Sequence, residues 1–275
     1  MLVIAAVVSV QAGSATATTL FDQVGPAGAV LYRLAFAAAL LLAIWRPAPL
    51  EAGREGLLLA IAFGATLAGM NFFFYESIDR IPLGIAVTFE FVGPLLVGLF
   101  GSRRALDLVW VASAAAGVLL LTRPSGSASA AGIAFALMAG GCWAVYILLS
   151  ARIGRVFPGG RGLALAMTVA ALLMVVPGGV VAGSDLIDPG AAAVGVATAV
   201  LSSVIPYSLE LEALRRIAVG TFGVLMSLEP AVAAVIGVIA LGQGLATFDV
   251  LGIGLVVIAS AGVLGASAVE APTEA

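Results

Sequence analysis

Long runs of apolar residues alternate along the chain with short polar segments. A helix of about 20 apolar residues crosses the hydrocarbon core of a bilayer, and the pattern predicts ten such spans. The connecting segments are too short to form a soluble domain, so the predicted fold is an all-α membrane protein in one bundle. The predicted spans are 2–20, 26–45, 57–78, 82–101, 105–122, 131–150, 162–183, 191–213, 218–241 and 248–267.

Composition supports a membrane environment. Of the 275 residues, 62% are hydrophobic and 10% are charged, whereas soluble domains carry about 25% charged residues. The 12 basic residues, all arginine, form no run that would bind nucleic acid. Histidine is absent and Cys142 is the single cysteine, which excludes a histidine or thiol metal site and an intrachain disulfide. No cofactor is expected, and any proton that is transported must be held by a carboxylate.

The first span has an alternative interpretation. Its apolar run is followed by Ala15-Thr16-Ala17, which fits the cleavage site of a signal peptide. However, the span lacks a basic segment ahead of it, and its removal would leave nine spans and disrupt the repeat described below. We therefore expect it to be retained as a membrane helix.

Arginine is distributed unequally between the loops. With the N-terminus inside, nine arginines follow spans two, four, six and eight, and two lie on the opposite side. Because arginine accumulates in cytoplasmic loops, the sequence predicts that both termini are cytoplasmic. The nine are Arg46, Arg54, Arg103, Arg104, Arg152, Arg155, Arg161, Arg215 and Arg216, and the two are Arg80 and Arg123.

The two halves of the chain share a weak repeat. Arg80-Ile81-Pro82-Leu83-Gly84 with Pro94 recurs 136 positions later as Arg216-Ile217-Ala218-Val219-Gly220 with Pro230. Five spans per copy is an odd number, so the second copy must be inverted, which is the plan of many secondary transporters with sites near the bilayer midplane. The predicted units are a first five-helix repeat at 1–124, a second at 125–268 and a disordered tail at 269–275.

Prolines in spans four and nine predict helix breaks at equivalent depths. A proline frees the carbonyl four residues earlier, which belongs to Glu90 for Pro94 and to Met226 for Pro230. Such breaks are typical of transporter sites. Packing kinks in membrane helices are the alternative, and the prolines alone do not separate the two.

Three ionisable residues lie deep within the predicted spans, namely Arg33, Glu90 and Glu229. A charge at the bilayer centre costs about 2.5–3.5 kcal/mol, so each is a candidate substrate- or proton-binding residue. The alternative is a structural ion pair between Arg33 and one glutamate. Three other glutamates near span ends, where side chains reach the interface, are predicted to be solvated: Glu76, Glu210 and Glu212.

Polar and aromatic residues accompany these charges and extend the candidate set. Tyr75 and Trp143 fit either the site or an interfacial aromatic belt. Asn71 and Ser203 fit either a polar path or hydrogen bonds between helices. The complete candidate set is Arg33, Asn71, Tyr75, Glu90, Trp143, Tyr146, Ser203, Tyr207, Met226 and Glu229.

Short motifs spread over nearly the whole chain resemble one transporter family. They are MNFFFY (70–75), IPLGIAV (81–87), EFVGP (90–94), CWAVYI (142–147), PYSLE (206–210), TFG (221–223) and MSLEP (226–230). These segments are similar to the amino acid exporters of the EamA-type drug/metabolite transporter superfamily. The resemblance implies ten helices in two inverted five-helix repeats, and export of small hydrophilic amino acids of the threonine and homoserine type by proton antiport.

Two departures from the family pattern accompany this resemblance. The basic segment usual before span one is missing, which suggests a start upstream of Met1. The Gly-Glu pair common after span nine is Gly242-Gln243 in this chain, which removes any role for that acid.

The resemblance and the buried charges together predict a mechanism. A zwitterionic substrate needs a cation for its carboxylate and an anion for its ammonium. We expect Glu229 or Glu90 to hold the amine and a proton in turn, while Arg33, Asn71 and Tyr207 hold the carboxylate or side-chain hydroxyl. The expected protein is a monomer in a bacterial inner membrane and is not an enzyme. The alternatives are export of an aromatic amino acid, a purine or a drug, and an intramembrane enzyme, whose usual motifs are absent.

Overall fold

A computed structural model of the chain describes residues 1–48, 52–100, 107–121, 129–214, 216 and 225–270. Within these residues the regular secondary structure is entirely helical, which confirms the predicted fold class. A 3₁₀ turn at Gly183–Ile187 precedes α9, and a π-helical turn at Val200–Val204 joins α9 to α10. The α-helices are α1 (Leu2–Thr18), α2 (Phe21–Trp45), α3 (Gly53–Ile78), α4 (Leu83–Glu90), α5 (Val92–Phe100), α6 (Asp107–Leu121), α7 (Ala130–Val156), α8 (Arg161–Ala182), α9 (Pro189–Ala199), α10 (Ile205–Leu214), α11 (Glu229–Leu241) and α12 (Thr247–Glu270).

Apolar helices occupy the predicted spans. In the described part of the chain, five helices are long and apolar enough to cross a membrane, and five shorter apolar helices accompany them. Span four comprises α4 and α5, and span eight comprises α9, the π-helical turn and α10. The count of ten crossings and the division at residue 124 stay predictions. The loop at 102–104 and the tail residues 271–275 lie outside the described residues.

Spans four and nine are interrupted where the prolines predict. Helix α4 ends at Glu90, and α5 begins after a one-residue turn. In span nine the helix breaks directly after Met226, and α11 begins at Glu229. The predicted breaks at Glu90 and Met226 are therefore confirmed. As a result, one carboxylate lies at the end of a short helix and the other at the start of one.

The break in span four packs closely against α7. A Cβ atom at Gly93 would lie 1.9 Å from the carbonyl oxygen of Gly140, and a Cβ atom at Gly140 would lie 2.5 Å from the carbonyl oxygen of Glu90. Small residues allow membrane helices to approach each other this closely. The contact therefore fixes the depth and position of Glu90 relative to α7.

We expect Gly93→Ala to lower the amount of protein in the membrane several-fold. The new methyl group must displace the backbone of α7, and overpacking of this kind costs about 1–3 kcal/mol. Gly141→Ala is the matched control, because a Cβ atom at Gly141 meets no atom within 4 Å. Immunoblots of membrane fractions and thermal unfolding in detergent provide the measurement. Equal abundance and stability of the two variants would contradict the close contact between Gly93 and α7.

Spans four and nine contact each other beside this break. A Cβ atom at Gly84 in α4 would lie 2.5 Å from the Cα atom of Ala234 in α11. The N–H of Leu83 donates to Oε1 of Gln243 at 2.9 Å, so the glutamine that follows span nine caps the start of α4. This position, where the family pattern has an acid, therefore has a structural contact in this chain.

The loops after α7 and α8 lie at different ends of the bundle. At one end, a Cβ atom at Gly160 would lie 2.4 Å from Nε1 of Trp45, so the loop after α7 packs on the end of α2. Toward the other end, Oη of Tyr32 donates to the carbonyl of Leu186 at 2.8 Å. Trp45 and Tyr32 are about 20 Å apart along α2, by the rise per residue of a helix. The loops after spans six and seven therefore lie on opposite sides.

The loop before α9 has a defined helix cap. Oδ1 of Asp188 accepts a hydrogen bond from the N–H of Ala191 at 2.7 Å, and Pro189 occupies the first turn. This backbone bond, together with one from the Gln23 side chain, holds the pKa of Asp188 below its usual range. The carboxylate is therefore ionised at neutral pH and keeps the cap in place.

Candidate substrate-binding cavity

A cavity of about 450 Å³ is lined by helices from both halves of the chain. This volume lies in the range of sites that bind small molecules. Two of the ten predicted site residues, Tyr75 and Ser203, do not line the cavity, although both contact a residue that does. The eight that line it are Arg33, Asn71, Glu90, Trp143, Tyr146, Tyr207, Met226 and Glu229.

Arg33 is buried and is held by three groups. Its Nε donates to Oγ of Ser203 at 3.4 Å, one terminal nitrogen donates to Oη of Tyr75 at 3.4 Å, and the other donates to the carbonyl of Ser202 at 3.1 Å. The guanidinium also lies 5.6 Å from the centre of the Tyr75 ring. All of these partners are neutral, so the positive charge of Arg33 is positioned without being neutralised.

The carbonyl that accepts from Arg33 is free because of a proline. Pro206 has no N–H to donate to the carbonyl of Ser202, four residues earlier. The helix widens into a π-helical turn over Val200–Val204, a local form that is frequent at functional sites. The short segment between α9 and α10 thus supplies a backbone acceptor for a buried cation.

Glu229 is buried at the start of α11. Its Oε1 accepts a hydrogen bond from Nε2 of Gln11 at 3.0 Å, while its Oε2 has no hydrogen-bond partner in the described structure. Glu90 is also buried and lines the same cavity at the end of α4. The two carboxylates are thus contributed by spans four and nine.

The positive and negative charges of the cavity are not paired with each other. Among the described residues, no carboxylate oxygen lies within 4.0 Å of the Arg33 guanidinium. This disagrees with the alternative of a structural ion pair between Arg33 and one glutamate. The cavity therefore presents a guanidinium and two separate carboxylates, an arrangement that is complementary to a zwitterion.

The structure distinguishes the alternatives for the aromatic and amide residues. Tyr75 is completely buried and bonds to Arg33, so it does not belong to an interfacial belt. Trp143 lines the cavity and packs edge-on against Phe91 with 5.3 Å between ring centres. Asn71 lines the cavity and donates to the carbonyl of Leu67 in its own helix, which favours the polar path. Ser203, in contrast, bonds across helices.

The prediction that the glutamates near span ends are solvated is correct for Glu212, whose side chain is 37% exposed and forms a salt bridge with Arg216 at 2.5 Å. Glu76 forms a salt bridge with Arg80 at 2.7 Å, but its side chain is only 14% exposed, so it is paired more than solvated. Glu210 instead lines the cavity. It lies one helical turn after Tyr207, so both side chains fall on one face of α10.

Besides Glu210, four polar residues of the cavity were not among the sequence candidates, namely Gln11, Ser14, Ser150 and Ser202. Gln11 and Ser14 are three positions apart in α1, which places them on one helix face. Two polar residues at this spacing in an otherwise apolar span are the sequence signal that could have identified a polar helix face. Serine and glutamine occur in membrane helices for packing as well as for function, so the spacing alone does not identify a site.

These features define a helical membrane protein with a largely apolar internal cavity that contains a few buried charged groups. The family model described as the EamA-like transporter family matches residues 130–265. Together with the curated relatives given next, this match shows that the chain belongs to that family and confirms the resemblance inferred from the motifs.

The threonine/homoserine exporter RhtA of Escherichia coli (strain K12) is 42% identical to the chain over 265 residues, which are 95% of this chain and 90% of the relative. The protein of the same name from Salmonella typhimurium (strain LT2) is 42% identical with the same coverage. A solved crystal structure matches with a TM-score of 0.67 and 19% identity, and covers 98% of this chain and 99% of its own. At that identity the likeness shows the fold alone.

Proposed function

We propose that this protein exports small hydrophilic amino acids of the threonine and homoserine type across a bacterial inner membrane by proton antiport. The membrane helices, the family membership and the names of the relatives support the substrate class and the location. In this proposal the protein works as a monomer, its partners are the amino acid, protons and the lipid bilayer, and no chemical reaction is catalysed.

The observation that carries the proposal is the separation of charges around the cavity. Arg33 is held by Tyr75, Ser202 and Ser203, so its charge stays available for the carboxylate of a zwitterion. Glu90 and Glu229 line the same cavity and supply anions for the ammonium group. A charge pair in a site of low dielectric is stronger than in water, so an amino acid gains from both contacts at once.

The proposed transport cycle alternates the occupant of one carboxylate. The substrate ammonium binds to Glu229 or Glu90 while the cavity is open to the cytoplasm. After the cavity opens to the other side, a proton replaces the amino acid on that carboxylate, and the neutral carboxylic acid allows the empty cavity to return. Asn71 and Tyr207 assist Arg33 in holding the substrate carboxylate or hydroxyl. Protons thus enter as amino acids leave.

Counterflow in proteoliposomes tests the proposal. Vesicles with purified protein are loaded with unlabelled threonine and exposed to labelled threonine, homoserine, an aromatic amino acid, a purine or a cationic drug. We expect accumulation of threonine and homoserine. When threonine leaves loaded vesicles down its gradient, we expect the lumen to acidify, because a proton enters in exchange. Protein-free vesicles give the background. Exchange of the purine or the drug in place of threonine would assign another substrate class.

The proposed orientation has its own test. Reporter fusions after residues 102–104 and in 157–161 are expected to report the cytoplasm, and a fusion in 185–189 is expected to report the periplasm. This expectation follows from the nine arginines predicted on one side and the two on the other. The positions of the loops at 157–161 and 185–189, toward different ends of the bundle, agree with this expectation. A cytoplasmic signal at Asp188 would contradict the inverted ten-span arrangement.

A further inference from the structure

Unsatisfied polar atoms are concentrated at the cavity. Six buried side-chain nitrogen or oxygen atoms in the described residues lack a hydrogen-bond partner. Three of them, Oε1 of Gln11, Oγ of Ser202 and Oε2 of Glu229, belong to residues that line the cavity. An unpaired buried polar atom is destabilising. Their concentration at one cavity indicates a polar ligand that completes these hydrogen bonds.

The hydrogen bonds already formed determine what each residue can still offer. Nε2 of Gln11 is bound to Glu229, so the amide presents its Oε1 atom, which only accepts. The backbone carbonyl of Ser202 is bound to Arg33, so the residue presents its hydroxyl, which donates and accepts. Ser202 lies directly against α1, because a Cβ atom at Gly13 would be 2.1 Å from its Oγ. The two residues thus come from elements in direct contact.

A hydroxyl group fits this pair of residues. A hydroxyl is both a donor and an acceptor, so it satisfies Gln11 and Ser202 together, whereas a methyl group satisfies neither. The charged groups of a zwitterion are already matched by Arg33 and the carboxylates. Gln11 and Ser202 therefore remain for the substrate side chain.

We propose that Gln11 and Ser202 recognise the side-chain hydroxyl of the substrate, with Oε1 of Gln11 accepting from it and Oγ of Ser202 donating to it. This inference rests on the proposed function as an exporter of hydroxyl-bearing amino acids. Both atoms are covered in this conformation, so contact requires rotation of the Ser202 hydroxyl about χ1 and a shift of the Gln11 side chain that keeps its hydrogen bond to Glu229.

The expected consequence is discrimination between amino acids of equal size. Valine has a methyl group where threonine has its hydroxyl, and norvaline has one where homoserine has its hydroxyl. When the methyl analogue is bound, the buried groups that bond to the substrate hydroxyl have no hydrogen-bond partner. Sites of this kind therefore reject the analogue strongly. We expect the wild-type protein to prefer threonine to valine by about 100-fold or more.

The test is threonine exchange with the same pH on both sides of the proteoliposome membrane, so that proton coupling does not enter. Competition by threonine, valine, homoserine and norvaline is measured for the wild type, Ser202→Ala and Gln11→Met. Ser202→Ala is the decisive variant because it leaves Glu229 and the carbonyl bound by Arg33 unchanged. Ser202→Cys, with a weaker donor of similar size, is the second variant should the alanine variant fail to accumulate. Ser9→Ala is the control, because Ser9 contacts the π-helical turn through the carbonyl of Leu201 and does not line the cavity.

We expect the threonine-to-valine and homoserine-to-norvaline preferences to fall about tenfold in each Ser202 or Gln11 variant, as for loss of one buried hydrogen bond, and to stay unchanged in Ser9→Ala. The inference would be overturned if the Ser202 and Gln11 variants bound threonine and valine more weakly in equal proportion, or if their preference were unchanged. In either case, threonine exchange by the wild type would still support the proposed function. No threonine exchange by the wild type would overturn both.

Discussion

Glu229→Gln is expected to abolish proton-driven export while the protein still accumulates in the membrane. Glutamine has nearly the same size as glutamate and its carbonyl accepts the hydrogen bond from Gln11. Arg33 is held by neutral groups and loses no salt bridge in this variant. The amide does not take up or release a proton, however, so the step in which a proton replaces the substrate is lost.

The measurement separates folding, exchange and coupling. Membrane abundance is compared with the wild type, and export is measured with and without a pH gradient. We expect normal abundance and a coupled rate at the protein-free background, with a pH profile that becomes flat. Glu90→Gln in the same assays shows whether the other carboxylate has this role. Normal abundance of Glu229→Gln with undiminished, pH-dependent export would mean that Glu229 is not the proton carrier.

Arg33→Lys is expected to raise the substrate concentration for half-maximal exchange about 10- to 100-fold, the equivalent of one or two charge-assisted hydrogen bonds. The guanidinium bonds through all three of its nitrogens to Ser202, Ser203 and Tyr75. A lysine ammonium is a single point that cannot repeat this arrangement and still face the cavity. The charge is retained, but its position is not.

Two controls accompany this variant. Arg46→Lys changes an exposed arginine in the same region of chain and is expected to leave exchange unchanged. Arg33→Gln removes the charge altogether. If Arg33 served only to neutralise buried carboxylates, the glutamine variant would fail to accumulate and the lysine variant would exchange normally. That pair of results would contradict a role in substrate binding.

The helical architecture was predictable because its causes are local in sequence. Span length follows from bilayer thickness, and the breaks after Glu90 and Met226 follow from the missing N–H groups of Pro94 and Pro230. Buried charge is costly in a membrane, so Arg33, Glu90 and Glu229 were also identifiable. Each of these signals depends on one residue and its immediate neighbours.

The remaining site residues depend on how the helices are rotated against each other. Glu210 is near a span end by count, and only the packing of α10 brings it to the cavity. Gln11 and Ser202 are small polar residues in apolar spans, and nothing in their own segments distinguishes a cavity wall from a helix contact. Tyr75 and Ser203 were predicted as site residues, but their position behind Arg33 required the arrangement of α2, α3 and the π-helical turn.

Pro206, which follows the π-helical turn, allows Ser202 to have two separate roles. The backbone carbonyl of Ser202 anchors Arg33, whereas the side chain of Ser202 is free for other contacts. Because every amino acid has that carbonyl, mutation at position 202 can alter which side chains are accepted and leave the charge that binds the carboxylate in place. Pro206, in contrast, has little freedom to vary, since any other residue restores an N–H that competes with Arg33 for the carbonyl. Relatives with different solutes can therefore arise by single changes at 202 on a common framework for binding amino acids.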